Sequence, residues 1–91
     1  MAIFTVISDL DPSDSRLANA IKRSPPEVLQ WYELPRGEFL VSYKGTSVEL
    51  SNYLGISEGQ NGSGIVIAVA SYWGRASTDT WEWIKTHWEG Q

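Results

Sequence analysis

The order of apolar and polar positions divides the chain into strand-like and helix-like segments. The first segment is a nearly continuous apolar run over residues 2–10, in which Ile3, Val6 and Ile7 are strong strand formers. A run of this length and character predicts a central strand that is covered on both faces. Near its end stands a carboxylate, Asp9, and the chain then turns towards a helical pattern.

Three further apolar segments predict strands. Residues 28–34 and 38–43 are joined by a short Pro-Arg-Gly connection, which is typical of a hairpin. Residues 65–73 predict the fourth strand, and the glycine-rich stretch 58–64 before it predicts a mobile loop. We do not interpret that stretch as a phosphate-binding loop, because it lacks Gly-Lys-Ser/Thr and a strand follows where a helix is needed.

Three segments have the period of amphipathic helices. Their approximate ranges are 13–23, 47–54 and 78–88. For the first helix, Asp11 is the predicted N-cap and Pro12 the first helical residue. The residues 46–49, Thr-Ser-Val-Glu, match a capping box before the second helix. Ser77 or Thr78 is the predicted cap of the third.

The predicted order is therefore β-α-β-β-α-β-α within a single domain, residues 1–91. Two βαβ-like halves joined by a hairpin predict a ferredoxin-like α+β fold. Both internal helices would then pack on one face of an antiparallel sheet. The added C-terminal helix would lie at the edge of the sheet, on its open face or on a partner.

Composition narrows the function and the assembly. The 91 residues include no cysteine, so neither disulfides nor cysteine zinc sites reinforce the fold. The five Trp and four Tyr are more aromatic surface than one small core readily hides, which favours self-association. The net charge of −4 disfavours nucleic acid as a partner. An apolar run too short to span a bilayer and the lack of a charged leader predict a soluble, cytoplasmic protein.

Several segments together resemble a known family. They are Phe4 to Leu10, Leu17, Ala20 to Lys22, Trp31 to Leu34, Gly37 to Val41, Thr46 to Leu54, Tyr72 to Arg75 and Trp81 to Lys85. The pattern resembles the small bacterial SinR-like proteins, relatives of the ferredoxin-like CRISPR-associated adaptation family. The resemblance implies this fold and a homodimer. It also implies a nuclease alternative, in which strand-end aspartates of two protomers lie near a shared divalent metal.

That alternative would make Asp9 the catalytic residue and the ligand of Mg²⁺ or Mn²⁺. Hard cations can be held by one or two carboxylates with waters, and a twofold axis would supply Asp9 twice. Three features disfavour a nuclease. Ser8 stands where the family commonly has Tyr, the segment 11–14 is acidic, and the net charge is negative. The alternative role of Asp9 is to end a strand. We therefore expect a non-enzymatic, dimeric interaction module without a cofactor, with the metal-dependent nuclease as the alternative.

The aromatic residues indicate where an interface would form. On the last helix Trp81, Ile84 and Trp88 share one face, and Trp83 points roughly the opposite way. Trp is a typical interface anchor, whereas base stacking normally accompanies a positive groove. The predicted interface residues are Trp73, Trp83 and Trp88, with core packing as the alternative for Trp73 and Trp31. The partner would be a second copy or another protein.

Overall fold

The computed structural model describes residues 2–9, 11 and 13–88. The described elements follow the predicted order β-α-β-β-α-β-α, so the α+β class is confirmed. The strands are β1 (Ala2–Ser8), β2 (Leu29–Glu33), β3 (Phe39–Tyr43) and β4 (Gly64–Ala68). The helices are α1 (Arg16–Arg23), α2 (Ser47–Tyr53) and α3 (Thr78–His87).

The four strands form one antiparallel sheet of order β2-β3-β1-β4. β1 lies in the interior of the sheet, as its apolar character predicted. Val6 is opposite Phe39 on one side and Val66 on the other. Because side chains alternate along a strand, Phe4 and Val6 point to one face and Ile3 to the other.

A hydrophobic core lies on each face of the sheet. The first core joins α1 and α2 to the sheet and consists of Phe4, Val6, Leu17, Ile21, Leu29, Phe39, Val41, Leu50 and Leu54. The second core lies under α3, where Ile84 packs against Ile3 and Leu40. The sheet is therefore the middle of three layers, and the added helix lies on its open face.

The start of α1 differs from the prediction. The helix begins at Arg16, and not at Ser13 with Asp11 as its cap. Asp11 Oδ1 instead accepts hydrogen bonds from the Ser13 N–H at 2.9 Å and hydroxyl at 2.7 Å. Such local turns compete with helix formation for the same carboxylate. Pro12, the predicted first helical residue, and Leu10, the predicted end of β1, lie outside the described residues.

β4 is shorter than the predicted strand 65–73, because it ends at Ala68. Its antiparallel pairing with β1 explains the difference. The Val69 N–H still donates to Ile3 O at 2.9 Å, but β1 begins only one residue before Ile3. Beyond Ile3, β1 extends only by Ala2 within the described residues, and residues 70–77 form an irregular connection to α3.

The start of α2 is as predicted, and the helix ends at Tyr53, one residue before the predicted end at 54. Glu49 N–H donates to Thr46 Oγ1 at 3.1 Å, and Thr46 N–H donates to Glu49 Oε1 at 2.8 Å, so the capping box is present. Gly55 follows the helix with φ 78°, a conformation that favours glycine.

We expect Leu50→Ala to lower the free energy of unfolding by about 3 kcal/mol, because its removal leaves a cavity in the first core. Leu50 is fully buried, whereas Val48 on the same helix is 66% exposed. Val48→Ala should therefore change the same free energy by less than about 0.5 kcal/mol. Urea unfolding at one protein concentration measures both. Equal losses in the two variants would contradict the buried face of α2.

Candidate interaction surface

Asp9, to which the nuclease alternative assigns catalysis and metal binding, lies just beyond the end of β1. Its side chain is exposed, and its backbone N–H donates to Ser63 O at 2.9 Å. This bond continues the pairing of β1 with β4 by one step. The carboxylate of Asp9 is thus accessible at the end of an interior strand of the sheet.

The two carboxylates nearest to Asp9 in the described sequence are bonded to their own neighbours. Asp14 accepts hydrogen bonds from Arg16 Nε at 3.0 Å and Nη2 at 2.8 Å. These side-chain bonds, with one from the Arg16 backbone, lower the pKa of Asp14. The hydrogen bond from the Ser13 backbone lowers the pKa of Asp11 most, and the bond from the Ser13 hydroxyl lowers it further. Within the described ranges, no group of three or more His, Cys, Asp or Glu is placed to hold a metal ion.

A cleft of about 500 Å³ lies between α1 and the β2–β3 hairpin. Its charged lining residues are Asp11, Asp14, Glu33, Glu38, Lys22 and Arg36. Lys22 Nζ lies 3.0 Å from Glu33 Oε1, so this ion pair links α1 to β2. Charges of both signs along the same wall favour neither a phosphate nor a metal ion as the occupant.

The face of the sheet that carries α3 is only partly covered. α3 packs against Ile3 of β1 and Leu40 of β3. On β4, by contrast, Ile65 and Ile67 are 56% and 46% exposed, and beyond the strand Trp73 is 96% exposed. Strand alternation and the pairing with β1 place both isoleucines on the α3 side of the sheet. We call Ile65, Ile67 and Trp73 the β4 surface.

A groove of about 460 Å³ separates α3 from β4. Its lining includes Ile3, Leu40, Ile67, Val69, Tyr72, Trp73, Ile84 and Trp88. Ile67 and Trp73 belong both to the groove and to the β4 surface. The exposed apolar side chains and the groove therefore form one continuous apolar region beside the edge of the sheet.

Trp83 lies on the side of α3 that carries His87, and it is half-buried against the domain. Its ring stacks on His87 at 4.1 Å and lies 6.0 Å from the ring of Tyr32. His87 Nδ1 donates to Trp83 O at 2.8 Å, and its Nε2 hydrogen bonds to the Gln30 side chain. These contacts cover Trp83 and fasten the last turn of α3 to β2.

The other two predicted interface residues differ in exposure. Trp88 is half-buried, and its ring lies 4.9 Å from that of Tyr72 in an edge-to-face arrangement. Trp73 is almost fully exposed, so core packing does not account for it. The interface role of the three Trp residues stays a prediction. Of the three, Trp73 is the most accessible to a partner.

Sequence reasoning did not single out Ile65 and Ile67. They stand in a continuous apolar run, which is the pattern of a strand buried on both faces. One signal could have identified them: the sequence has no charged residue between Glu58 and Arg75. Natural edge strands commonly carry charges, so an uncharged strand at an edge indicates a contact surface.

Comparisons with known proteins found no match among family models, curated proteins or solved structures. No helix in the described part of the chain has the length and apolar character needed to cross a membrane. The functional argument therefore depends on the residues and surfaces described above.

We expect Arg16→Gln to raise the pKa of Asp14 towards its ordinary value of 3.8, because the Arg16 hydrogen bonds lower it. A carboxyl whose pKa is lowered by folding contributes stability above its unfolded pKa and loses it as the pH falls through the folded pKa. The stability difference between wild type and Arg16→Gln should thus be present at neutral pH and disappear in acid.

NMR titration of the Asp14 side chain and urea unfolding across the pH range measure these effects. The control is Arg75→Gln, in the connection before α3, which should leave the pKa of Asp14 unchanged. An Asp14 pKa that does not rise in Arg16→Gln would contradict the role of the Arg16 contact.

Proposed function

We propose that the chain is a non-enzymatic interaction module with a ferredoxin-like fold, which functions as a homodimer. The fold proposal is supported by the strand order β2-β3-β1-β4. In this order β1-α1-β2 and β3-α2-β4 are two interleaved split βαβ units with both helices in the first core. The resemblance to the SinR-like proteins belongs to the same proposal. A cytoplasmic location is also part of it, and the absence of cysteine is compatible with that location.

The observation that carries the proposal is the 96% exposure of Trp73. A Trp side chain presents about 200 Å² of largely apolar surface, and contiguous exposed apolar residues mark interaction sites. At about 25 cal/mol per Å², burying it against a partner would contribute about 5 kcal/mol before the costs of association. Ile65 and Ile67 extend the same surface, so a partner would bury all three residues together.

The acidic end of β1 favours the interaction module over the nuclease. The carboxylate of Asp14 is held by Arg16 and that of Asp11 by Ser13, and both bonds stabilise the turn before α1. A nuclease also needs cations that attract the phosphates of its substrate. The chain, in contrast, has a net charge of −4. Asp9 is left as an exposed carboxylate at the end of a strand.

We expect light scattering to give the wild-type chain a mass of twice 10.2 kDa. Trp73→Ser should shift the population towards the monomer, because it removes the most exposed aromatic ring of the β4 surface. The matched control is Tyr53→Ser, which changes a 44% exposed aromatic residue on α2, in the other helical layer. This control should stay dimeric. A wild-type monomer up to the highest soluble concentration would contradict the proposed homodimer.

The nuclease alternative assigns catalysis to Asp9 of each protomer with Mg²⁺ or Mn²⁺. We expect wild type and Asp9→Ala to release equally little product from RNA and DNA in either metal. Asp9 is exposed and its observed bond uses the backbone, so the variant should change the free energy of unfolding by less than about 0.5 kcal/mol. Cleavage by wild type that Asp9→Ala lacks would replace the proposed function with a nuclease.

A further inference from the structure

The two edges of the sheet are protected differently. On β2, Glu33 is ion-paired with Lys22 at 3.0 Å, and Lys22 Nζ also lies 5.8 Å from the ring centre of Trp31. β4 has no charged residue, and its Ile65 and Ile67 are exposed. Natural sheets protect their edges with charges, prolines or a covering element. By that measure, and among the described residues, β4 is the unprotected edge.

The backbone of β4 presents alternate residues to this open edge. The Asp9 N–H bonds to Ser63 O, and the Val69 N–H bonds to Ile3 O, each in register with the β1–β4 ladder. Odd-numbered residues of β4 therefore bond to β1. Because the direction of bonding alternates along an antiparallel strand, the even-numbered residues of 64–68 point their N–H and C=O groups away from the sheet.

This spacing is self-complementary when a second β4 runs antiparallel about a twofold axis at Val66. Each even-numbered residue then meets an even-numbered one, which gives about six hydrogen bonds between the copies. In the same register Ile65 lies opposite the partner's Ile67, so two isoleucine pairs form on the α3 side. A shift by one residue mismatches the bonding groups, and a shift by two shortens the overlap.

Charge also favours a second copy at this edge. Two chains of net charge −4 repel each other, and the cost depends on which surfaces meet. Since no charged residue lies between Glu58 and Arg75, contact through β4 places no like charges of this segment opposite each other. An antiparallel pair about a twofold axis is also closed, because each copy uses the edge of the other.

We propose that two copies of the chain pair edge to edge through β4, antiparallel about a twofold axis at Val66. Two four-stranded sheets then become one continuous sheet. This inference rests on the proposed homodimer and specifies its interface. Trp73, which lines the same groove as Ile67, adds apolar contact next to the isoleucine pairs.

Disulfide trapping tests the register, because the chain has no cysteine of its own. Ile65→Cys and Ile67→Cys, mixed in reducing buffer and then oxidised, should form a covalent dimer. Their Cα atoms would lie about 4.5 Å apart as a non-hydrogen-bonded pair, within disulfide range. Each variant oxidised alone should stay monomeric on a non-reducing gel, because like positions lie diagonally about 7–8 Å apart. Val48→Cys, at an exposed position of α2, should not cross-link with either.

A covalent dimer from Ile65→Cys or Ile67→Cys alone would overturn the Val66-centred register. A wild-type dimer in light scattering without trapping in the mixture would overturn the β4 interface and leave the homodimer standing. A monomeric wild type would overturn both the homodimer and the β4 interface. Circular dichroism of each variant verifies that it is folded.

A charge pair gives an independent readout of the same register. Ile67→Glu should weaken dimerisation about tenfold or more, because each isoleucine pair loses one apolar member. Adding Ile65→Lys should restore affinity, since each new Lys then faces a new Glu of the other copy. Failure of the double variant to recover affinity, with both variants folded, would contradict the pairing of positions 65 and 67.

Discussion

The pairing of β1 with strands on both of its sides is the constraint on which the rest of the structure depends. Phe4 and Val6 of this strand enter the first core, and Ile3 enters the second. β1 uses its backbone groups towards both β3 and β4, and the sheet of the described residues has β2 and β4 as its edges. The position of Asp9, the length of β4 and the open edge all follow from this arrangement.

Sequence reasoning succeeded where local chemistry decides the conformation. The capping box of Thr46 and Glu49 depends on neighbours in the chain, and it was predicted from residues 46–49. It failed where a distant segment decides. β4 ends at Ala68, opposite Phe4 near the start of β1, and the pattern of residues 65–73 does not encode this limit. Likewise, only the fold brings Tyr32 of β2 beside Trp83.

The candidate site was harder to predict than the fold for the same reason. Ile65 and Ile67 have the local pattern of buried residues, and their exposure depends on the strand order, which no local pattern encodes. Asp9 is a candidate because of its position at a strand end, its side chain is exposed there, and its role as a metal ligand stays a prediction. The residue type makes Trp73 a candidate interface residue. The sequence does not distinguish it from a core residue, because that depends on β4 ending at Ala68.

The anchoring of α3 explains why an apolar surface is left on a chain this small. The last turn of α3 is fastened to β2 through His87 and Gln30, and Ile84 packs over β1 and β3. A helix held on that side cannot also cover β4, so the second core stops short of Ile65 and Ile67. In a small domain, apolar surface that one chain cannot bury is commonly buried by association. An edge-to-edge dimer would thus complete, with the β4 of a second copy, the layer that α3 leaves open.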